Sequence, residues 1–250
     1  MIAALLALAL AAGPTCGPPA VAPGARPWRT GESLTYDLEL LGMVQAGMMQ
    51  LAVERPLSAG KVFPLRARAK TTKTAGSLKP FAGVALSWVD AGTLRPERYR
   101  EETEEGGVHK TSDARLAPPR PEIVVENRSG RSVSRNTVPR ERDVLDPISI
   151  LYQVRAVKLV PGDRFCVDLV GTGRAWRVEA SVAAKPERVE TPAGKFETLR
   201  VDFEVRRADR PDAKPRSVHA WIGTDARRLP VALVGEAEFG PVSATLTALR

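Results

Sequence analysis

The chain has 250 residues, 43% of them hydrophobic, with 37 Lys and Arg against 29 Asp and Glu for a formal net charge of +8 and a mean hydropathy of −0.17. Such a composition suits a folded protein with a sizeable core and excludes wholesale disorder. Two Cys and two His exclude a zinc ribbon or a disulfide-dense scaffold, so no metal and no other cofactor is expected.

Residues 2–12, IAALLALALAA, are uninterruptedly apolar and end at Gly13-Pro14, and Ala9-Leu10-Ala11 offers the small-x-small pattern of a cleavage site. Residues 1–12 therefore read as a secretory signal peptide, although no basic residue precedes the apolar run. The run is too short for a spanning helix, which needs about 20 residues, and no later segment is long and apolar enough, so the chain is not expected to be integral to a membrane. Cys16 stands where a lipoprotein carries its lipidated cysteine, but Gly13-Pro14-Thr15 fits that processing signal badly. A soluble periplasmic or otherwise envelope-associated monomer is the expectation. In an oxidising compartment Cys16 could instead bond Cys166, a link worth about 4 to 5 kcal/mol in the chain-entropy model. Cys166 lies in the alternating run Phe165-Cys166-Val167-Asp168-Leu169 and reads as a structural strand residue.

Residues 13–30 are rich in Pro and Gly without periodicity and read as a tether. A single β-rich domain is expected over 31–250. Leu34, Tyr36, Leu38 and Leu40 alternate with polar residues, and after Gly42 a second run holds Val44, Ala46, Met48, Leu51 and Val53, which predicts a hairpin. Further strands are predicted at 61–72, 83–90, 95–103, 107–114, 121–126, 130–137, 163–170, 174–184, 186–190, 195–206, 215–222, 229–238 and 241–249. This spacing is that of an antiparallel sandwich or barrel.

One segment differs. Asp146-Pro147 pairs an N-capping side chain with the residue favoured at the first helical position, and an apolar run follows until Pro161-Gly162. A helix is predicted near 146–158, apolar on nearly every side and hence buried inside or across the mouth of a curved sheet. Residues 115–142 carry seven Arg against three Glu among several prolines, so they read as a basic insertion whose strands at 121–126 and 130–137 are short and exposed, an arm rather than core.

No G-x-S-x-G, P-loop, H-E-x-x-H or calcium-loop motif occurs, and Gly171-Thr172-Gly173 reads as a turn between strands. His109 and His219 stand isolated. Asp146 with Arg155 could form a base and an anion clamp, but an N-cap carboxylate and a cation near a helix C-terminus account for both structurally.

Laid out in this way, the chain resembles the bacterial family known only as domain of unknown function 3108 (DUF3108). The resemblance is carried by Gly31-Glu32-Ser33-Leu34-Thr35-Tyr36, Ala46-Gly47, Trp88-Val89-Asp90 through Pro96, and Asp146-Pro147-Ile148-Ser149 with Leu151-Tyr152 and Arg155. Further matches are Thr191 through Phe196, and Trp221 through Asp225 with Arg228-Leu229-Pro230-Val231. It implies an exported, mostly β protein, a curled antiparallel sheet or open β-barrel around one short central helix, with no assigned activity. The architecture is similar to that of Lol-type lipoprotein carriers, an analogy of fold.

The functional expectation is a non-enzymatic envelope protein binding an apolar or amphipathic ligand, a lipid or acylated polymer, in the sheet's cavity. Tyr36, Leu38, Met48, Trp88, Ile150, Leu151 and Val154 are the candidate lining, with Asp146, Pro147 and Cys166 structural. The alternatives are a glycan-active envelope enzyme, and a scaffold docking on anionic lipid or acidic polysaccharide through its basic surface. Nothing resembles a nucleic-acid groove.

Overall fold

The computed structural model describes residues 17, 20–21, 26–42, 44–78, 80–117, 122–139, 143–210, 212–237 and 240–250. The expected signal peptide and Cys16 lie outside the described residues. Cys166 is disulfide-bonded, and its backbone forms an isolated antiparallel bridge with Gly17.

The protein is mostly β, as the alternation predicts. From β1 (Ser33–Leu40) and β2 (Val44–Val53) an antiparallel meander continues through β3 (Val62–Thr71), β4 (Phe81–Asp90), β5 (Pro96–Glu105), β6 (Val108–Arg115), β7 (Glu122–Ser129) and β8 (Ser132–Pro139). On the other side of β1 the sheet runs back from the C-terminus through β16 (Gly240–Leu249), β15 (Pro230–Ala237), β14 (Arg216–Gly223) and β13 (Gly194–Arg207). Beyond these lie β11 (Arg174–Val182) and β10 (Arg164–Gly171), then the short β9 (Val144–Leu145) parallel to β10, while β12 (Glu187–Thr191) pairs with β13.

The sheet curls but does not close. Its two edges approach each other where Asn136 Nδ2 of β8 donates to the Gly173 carbonyl at 3.4 Å. Thr172 and Gly173 form the two-residue turn between β10 and β11, with φ of 51° and 71°, the left-handed pair that a tight hairpin requires. A Cβ at Gly173 would come within 2.5 Å of the Asn127 side chain, so glycine lets the turn lie against β7.

In an antiparallel meander alternate connections fall at one end. That end carries the turns at 106–107, 130–131 and 172–173 and the loop 208–215. The opposite end is filled by α2 (Ser149–Ala156); a shorter α1 (Lys73–Leu78) joins β3 to β4. Ile148, Tyr152 and Ala156 pack with Val53, Leu65, Val89, Tyr99, Ala114 and Ile123, all near one end of their strands. Val154 packs with Val201, Ala220 and Ile222 on the other flank. The predicted helix is thus a plug, buried on nearly every side, but shorter than 146–158: Pro147 and Ile148 form a turn, and Val157 is already extended at φ −93°, ψ 154°.

Two expectations are corrected. The strands within 115–142 are neither short nor an arm outside the core, because β7 and β8 extend the sheet and Ile123 and Val125 are fully buried against the plug. The segment's arginines obscure an alternation whose other face is core; Arg115, Arg128, Arg131 and Arg135 are exposed. Within the presumed tether, Trp28 is buried and stands edge-on to Tyr152, ring centroids 5.1 Å apart.

The plug carries one charge that does not reach solvent. Arg155, fully buried, makes a two-pronged pair with Glu32 at 2.7 and 3.0 Å and lies 5.3 and 5.2 Å from the Trp28 and Tyr152 ring centroids. Its remaining donors reach the carbonyls of Arg227 and Arg228 at 3.2 Å. Arg228 reciprocates, donating from Nη1 to the carbonyls of Arg155 and Val157 at 3.2 and 2.9 Å, and so caps the helix C-terminus. Arg155 is therefore neither a solvent-facing dipole partner nor a clamp for an external anion.

Removing one member strands the other without water, which costs about 3 to 5 kcal/mol. Glu32→Gln and Arg155→Met are each expected to lower stability by that order, and the double variant by less than their sum. Urea denaturation of the four proteins checks this, and additive losses would show that the two side chains do not depend on each other.

Candidate functional site: an open cavity opposite the helix plug

At the end left open by α2 the sheet encloses a cavity of about 760 Å³, within the size range of small-molecule sites. Its walls differ in chemistry. Met49, Ala67, Ala69, Phe81, Gly83 and Ala85 of β2, β3 and β4 form an apolar wall, with Ala67 opposite Ala85 and Ala69 opposite Gly83. From β5 to β8 the lining turns polar, with Glu101, Thr103, Lys110, Ser112, Asn127 and Asn136. Arg174 and Trp176 of β11 and Arg216 of β14 complete it.

A second cavity, of about 890 Å³, follows the seam between β8 and β10–β11. Asn136, Gly173, Arg174 and Trp176 line both, so the two adjoin at this point. Trp176 is held by its Nε1 donating to the Gly171 carbonyl at 3.1 Å, and the Arg216 guanidinium stands 6.0 Å from its ring centroid.

Glu101 marks the boundary between plug and cavity. Burial raises its carboxyl above the ordinary range, against the lowering effect of the Tyr99 hydroxyl, which donates at 2.8 Å, and of the Thr172 backbone. Burial also raises the Tyr99 phenol, so the proton of this pair stays on Tyr99 at neutral pH. Glu105, nearer the mouth, is paired with Lys110 at 2.9 Å.

The sequence-nominated lining residues fall into two groups, and neither forms this cavity's wall. Tyr36 and Val154 are fully buried, and Leu38, Ile150 and Leu151 pack against the core clusters. They meet at the helix plug, where Tyr36 Oη donates to the Pro230 carbonyl at 2.8 Å. Met48 and Trp88 are on the other face of the sheet. Leu51 and Val53 are core, so period two turns Met49 inward and Met48, 43% exposed, outward. Likewise Ser87 and Val89 are buried, and Trp88 instead lies beneath Arg98 at 5.2 Å. His219 pairs with Asp202 at 2.5 Å, and neither histidine lines either cavity.

Pro147 packs against Gly171, where an added Cβ would approach its ring to 2.8 Å. Asp146 is wholly enclosed. Its Oδ1 accepts the amides of Ile148 and Ser149 at 2.9 Å, and its own amide donates to Ser149 Oγ at 2.9 Å, a reciprocal cap just ahead of α2. Ser87 Oγ donates to Oδ2 at 2.5 Å. Asp146 lines neither cavity.

Sequence reasoning missed Arg174, Trp176, Arg216 and Glu101. The available signal was phase: Glu101 and Thr103 continue the alternation of buried Tyr99 and so point inward, a polar tail on an apolar-faced strand.

Much of the fold's recognisable sequence gathers at the plug: Glu32, Tyr36, Asp146, Tyr152, Arg155, Arg228 and Pro230. The family model of the protein of unknown function DUF3108 matches residues 35–247. The chain belongs to this DUF3108 family. In fold this member is similar to the crystal structure of a β-barrel-like protein of domain of unknown function DUF1849 from Brucella abortus, with 13% identity, a TM-score of 0.60, and 88% of this chain and 97% of that one covered. A Bacteroides fragilis protein with a YmcC-like fold aligns at a TM-score of 0.32 and 11% identity over 90% of this chain and 98% of its own. A Parabacteroides distasonis protein aligns at 0.35 and 11% over 90% and 97%. At 13% identity the likeness to the Brucella abortus structure speaks for fold alone, and no curated protein matches the chain. Among the described residues of this DUF3108 protein, no helix is long and apolar enough to cross a membrane, and no group of three or more His, Cys, Asp or Glu is placed to hold a metal.

Burial pushes the Asp146 carboxyl up to about 6, more than its hydrogen bonds lower it. The unfolded chain releases this proton near 3.8 and the folded chain holds it longer, so this group's contribution to stability falls as pH rises between the two values. The span corresponds to about 3 kcal/mol as an upper bound. Asp146→Asn, which can keep the amide bonds, is expected to gain on the wild type in melting temperature as pH rises from 4 to 7. A difference constant over that range would mean that Asp146 keeps an ordinary carboxyl.

Proposed function

We propose that this DUF3108 protein is an exported, non-enzymatic protein of the bacterial periplasm or cell envelope that binds an amphipathic ligand, a lipid or an acylated polymer, in the open end of its curled sheet. The observation that carries this reading is the contrast between the two ends of the sheet. One is filled by α2 and the interlocked side chains beneath it; the other keeps a cavity of about 760 Å³ whose apolar wall of Met49, Ala67, Ala69, Phe81 and Ala85 faces polar and cationic groups. An apolar surface of that kind, bordered by oriented polar groups, suits a ligand with an apolar body and a polar end. Export rests on the apolar leader at residues 2–12.

A glycosidase is less well supported. Glu101 and Glu105, the carboxylates of the first cavity, are four residues apart on one strand, about 13 Å between their Cα atoms at the strand rise, against the roughly 5 to 9.5 Å between carboxyl groups that a catalytic pair needs, and Asp168 and Asp209 of the second cavity are each held by an arginine. Glu105 is moreover bound to Lys110.

The test is a titration of purified full-length mature protein with palmitoyl lysophospholipid, followed by tryptophan fluorescence. Saturable binding is expected, and Thr103→Trp, which fills the cavity from a partly buried position on β5, should abolish it at an unchanged melting temperature. Binding that survives in a folded Thr103→Trp protein would place the ligand elsewhere.

A further inference from the structure

We infer that the ligand's polar end is an anion, read by Arg174 and Arg216 at the junction of the two cavities. This deepens the amphipathic-ligand reading above and rests on it. The argument begins with which charges around the cavity are already matched. Lys110 holds Glu105 at 2.9 Å, Arg207 holds Asp209 at 2.6 Å, Arg177 holds Asp168 and Arg206 holds Glu204. Of the arginines in the lining, Arg68, Arg128, Arg174 and Arg216 have no carboxylate within salt-bridge distance among the described residues. Arg68 lies between the inward-facing Ala67 and Ala69, and Arg128 next to the inward-facing Asn127, so strand alternation turns their side chains outward. Arg174 and Arg216 remain, and Arg174 touches the field of Asp209 only at longer range. Both are exposed and both line the main cavity.

Their placement follows from register. Trp176 of β11 is opposite Arg207 of β13, and Val205 of β13 is opposite Arg216 of β14. Val178, Val205 and the partly buried Trp176 belong to one core cluster. The strand period then puts Arg174, two residues beyond Trp176, and Arg216, directly across from Val205, on that same inner face. Arg216 is stacked over Trp176, so its guanidinium is held at the rim, with no hydrogen-bond acceptor for it among the described residues. The apolar wall of β2 to β4 belongs to the other half of the sheet, and the polar residues of β5 to β8 come between.

The cavity therefore has apolar surface on one side and two unneutralised guanidinium groups on another. A ligand that matches both is a long-chain acyl group ending in a phosphate or carboxylate. Guanidinium groups recognise either anion through paired N–H donors. Glu101, the remaining carboxylate of the lining without a cation partner among the described residues, lies deeper beside Tyr99 and α2, so the acyl chain is expected along the apolar wall and the anion toward the seam.

The experiment compares three probes on the full-length mature protein below their micellar concentrations. They are palmitoyl lysophosphatidylglycerol, palmitoyl lysophosphatidylcholine and glycerophosphoglycerol, which has the anionic head without the acyl chain. The wild type is expected to bind the anionic lysolipid at least about tenfold more tightly than the zwitterionic one, since a charge-assisted contact contributes roughly 1.5 to 3 kcal/mol. Added salt should shrink that preference. The head group alone should bind weakly or not at all. Arg174→Gln with Arg216→Gln is expected to abolish the preference, weakening the anionic lysolipid more than the zwitterionic one, whose phosphate is already offset by its choline, and Arg174→Lys with Arg216→Lys is expected to retain part of it. If the double Gln protein does not fold, either single Gln variant must still reduce the preference. Equal binding of the two lysolipids by the wild type would overturn the assignment of an anionic head while leaving the amphipathic-ligand reading intact. Binding of neither would sink that reading, and the inference with it. Head-group binding as tight as the whole lysolipid would point to a polar anion alone and overturn the role given to the apolar wall.

Discussion

The buried pair between Glu32 and Arg155 is the constraint around which the molecule is organised. A guanidinium taken wholly out of water is tolerable only if its charge is matched and its donors are used. Here the matching groups come from three distant parts of the chain: the entry to β1, the helix plug, and the turn that precedes β15. Arg155 can be satisfied only when all three are docked, and Arg228 returns the bond by capping the helix that carries Arg155. The pair couples the N-terminal and C-terminal halves of the sheet at the end where they would otherwise be joined by apolar packing alone. Such an arrangement favours one register over many, whatever its net contribution to stability.

That commitment at one end leaves the other end free. The helix has only eight residues, a length of about 12 Å, and cannot fill a curled sheet whose strands run to ten residues and more. Its core contacts are with strand positions near the closed end, and beyond Tyr99 on β5 or Leu51 on β2 the inner face is no longer packed by α2. Small side chains on β3 and β4 keep the remaining space open, since Ala67, Ala69, Gly83 and Ala85 stand where larger residues would meet across the interior. The seam between β8 and β10 adds a lateral opening, because the sheet's edges are joined there by side-chain contacts rather than by a continuous ladder.

Electrostatics divide along the same axis. At the closed end the buried charges are enclosed and paired: Glu32 with Arg155, and Asp146 with Ser87 and the first amides ahead of the helix. At the open end cations outnumber carboxylates, and Arg174 and Arg216 face the cavity without a carboxylate partner among the described residues. The overall charge of +8 is thus not spread evenly in its consequences. Surface pairs cancel in that sum and contribute little, while part of the surplus stands at the cavity, where a small ligand could use it.

Much of the fold was legible in the sequence, because an antiparallel strand writes its two faces into alternate residues and each turn into Gly, Asn or Pro. The boundaries of β1 to β6 and of β10 to β16, the helix after Asp146-Pro147 and its burial could all be read in this way. The alternation failed where charge masked it, so Ile123 and Val125 passed for an arm, and where its phase was misjudged, so Met48 and Trp88 were assigned to the interior. The cavity was not legible. Its lining comes from nine strands and one turn, brought together by curling and by the β8–β10 seam, and no local pattern encodes how far a sheet curls or which end a short helix fills. Pairing of Glu32 with Arg155, 123 positions apart, and the exposure of Arg174 and Arg216 to one shared space depend on that closure; the sequence alone determined which residues face inward, and tertiary structure decided what they face.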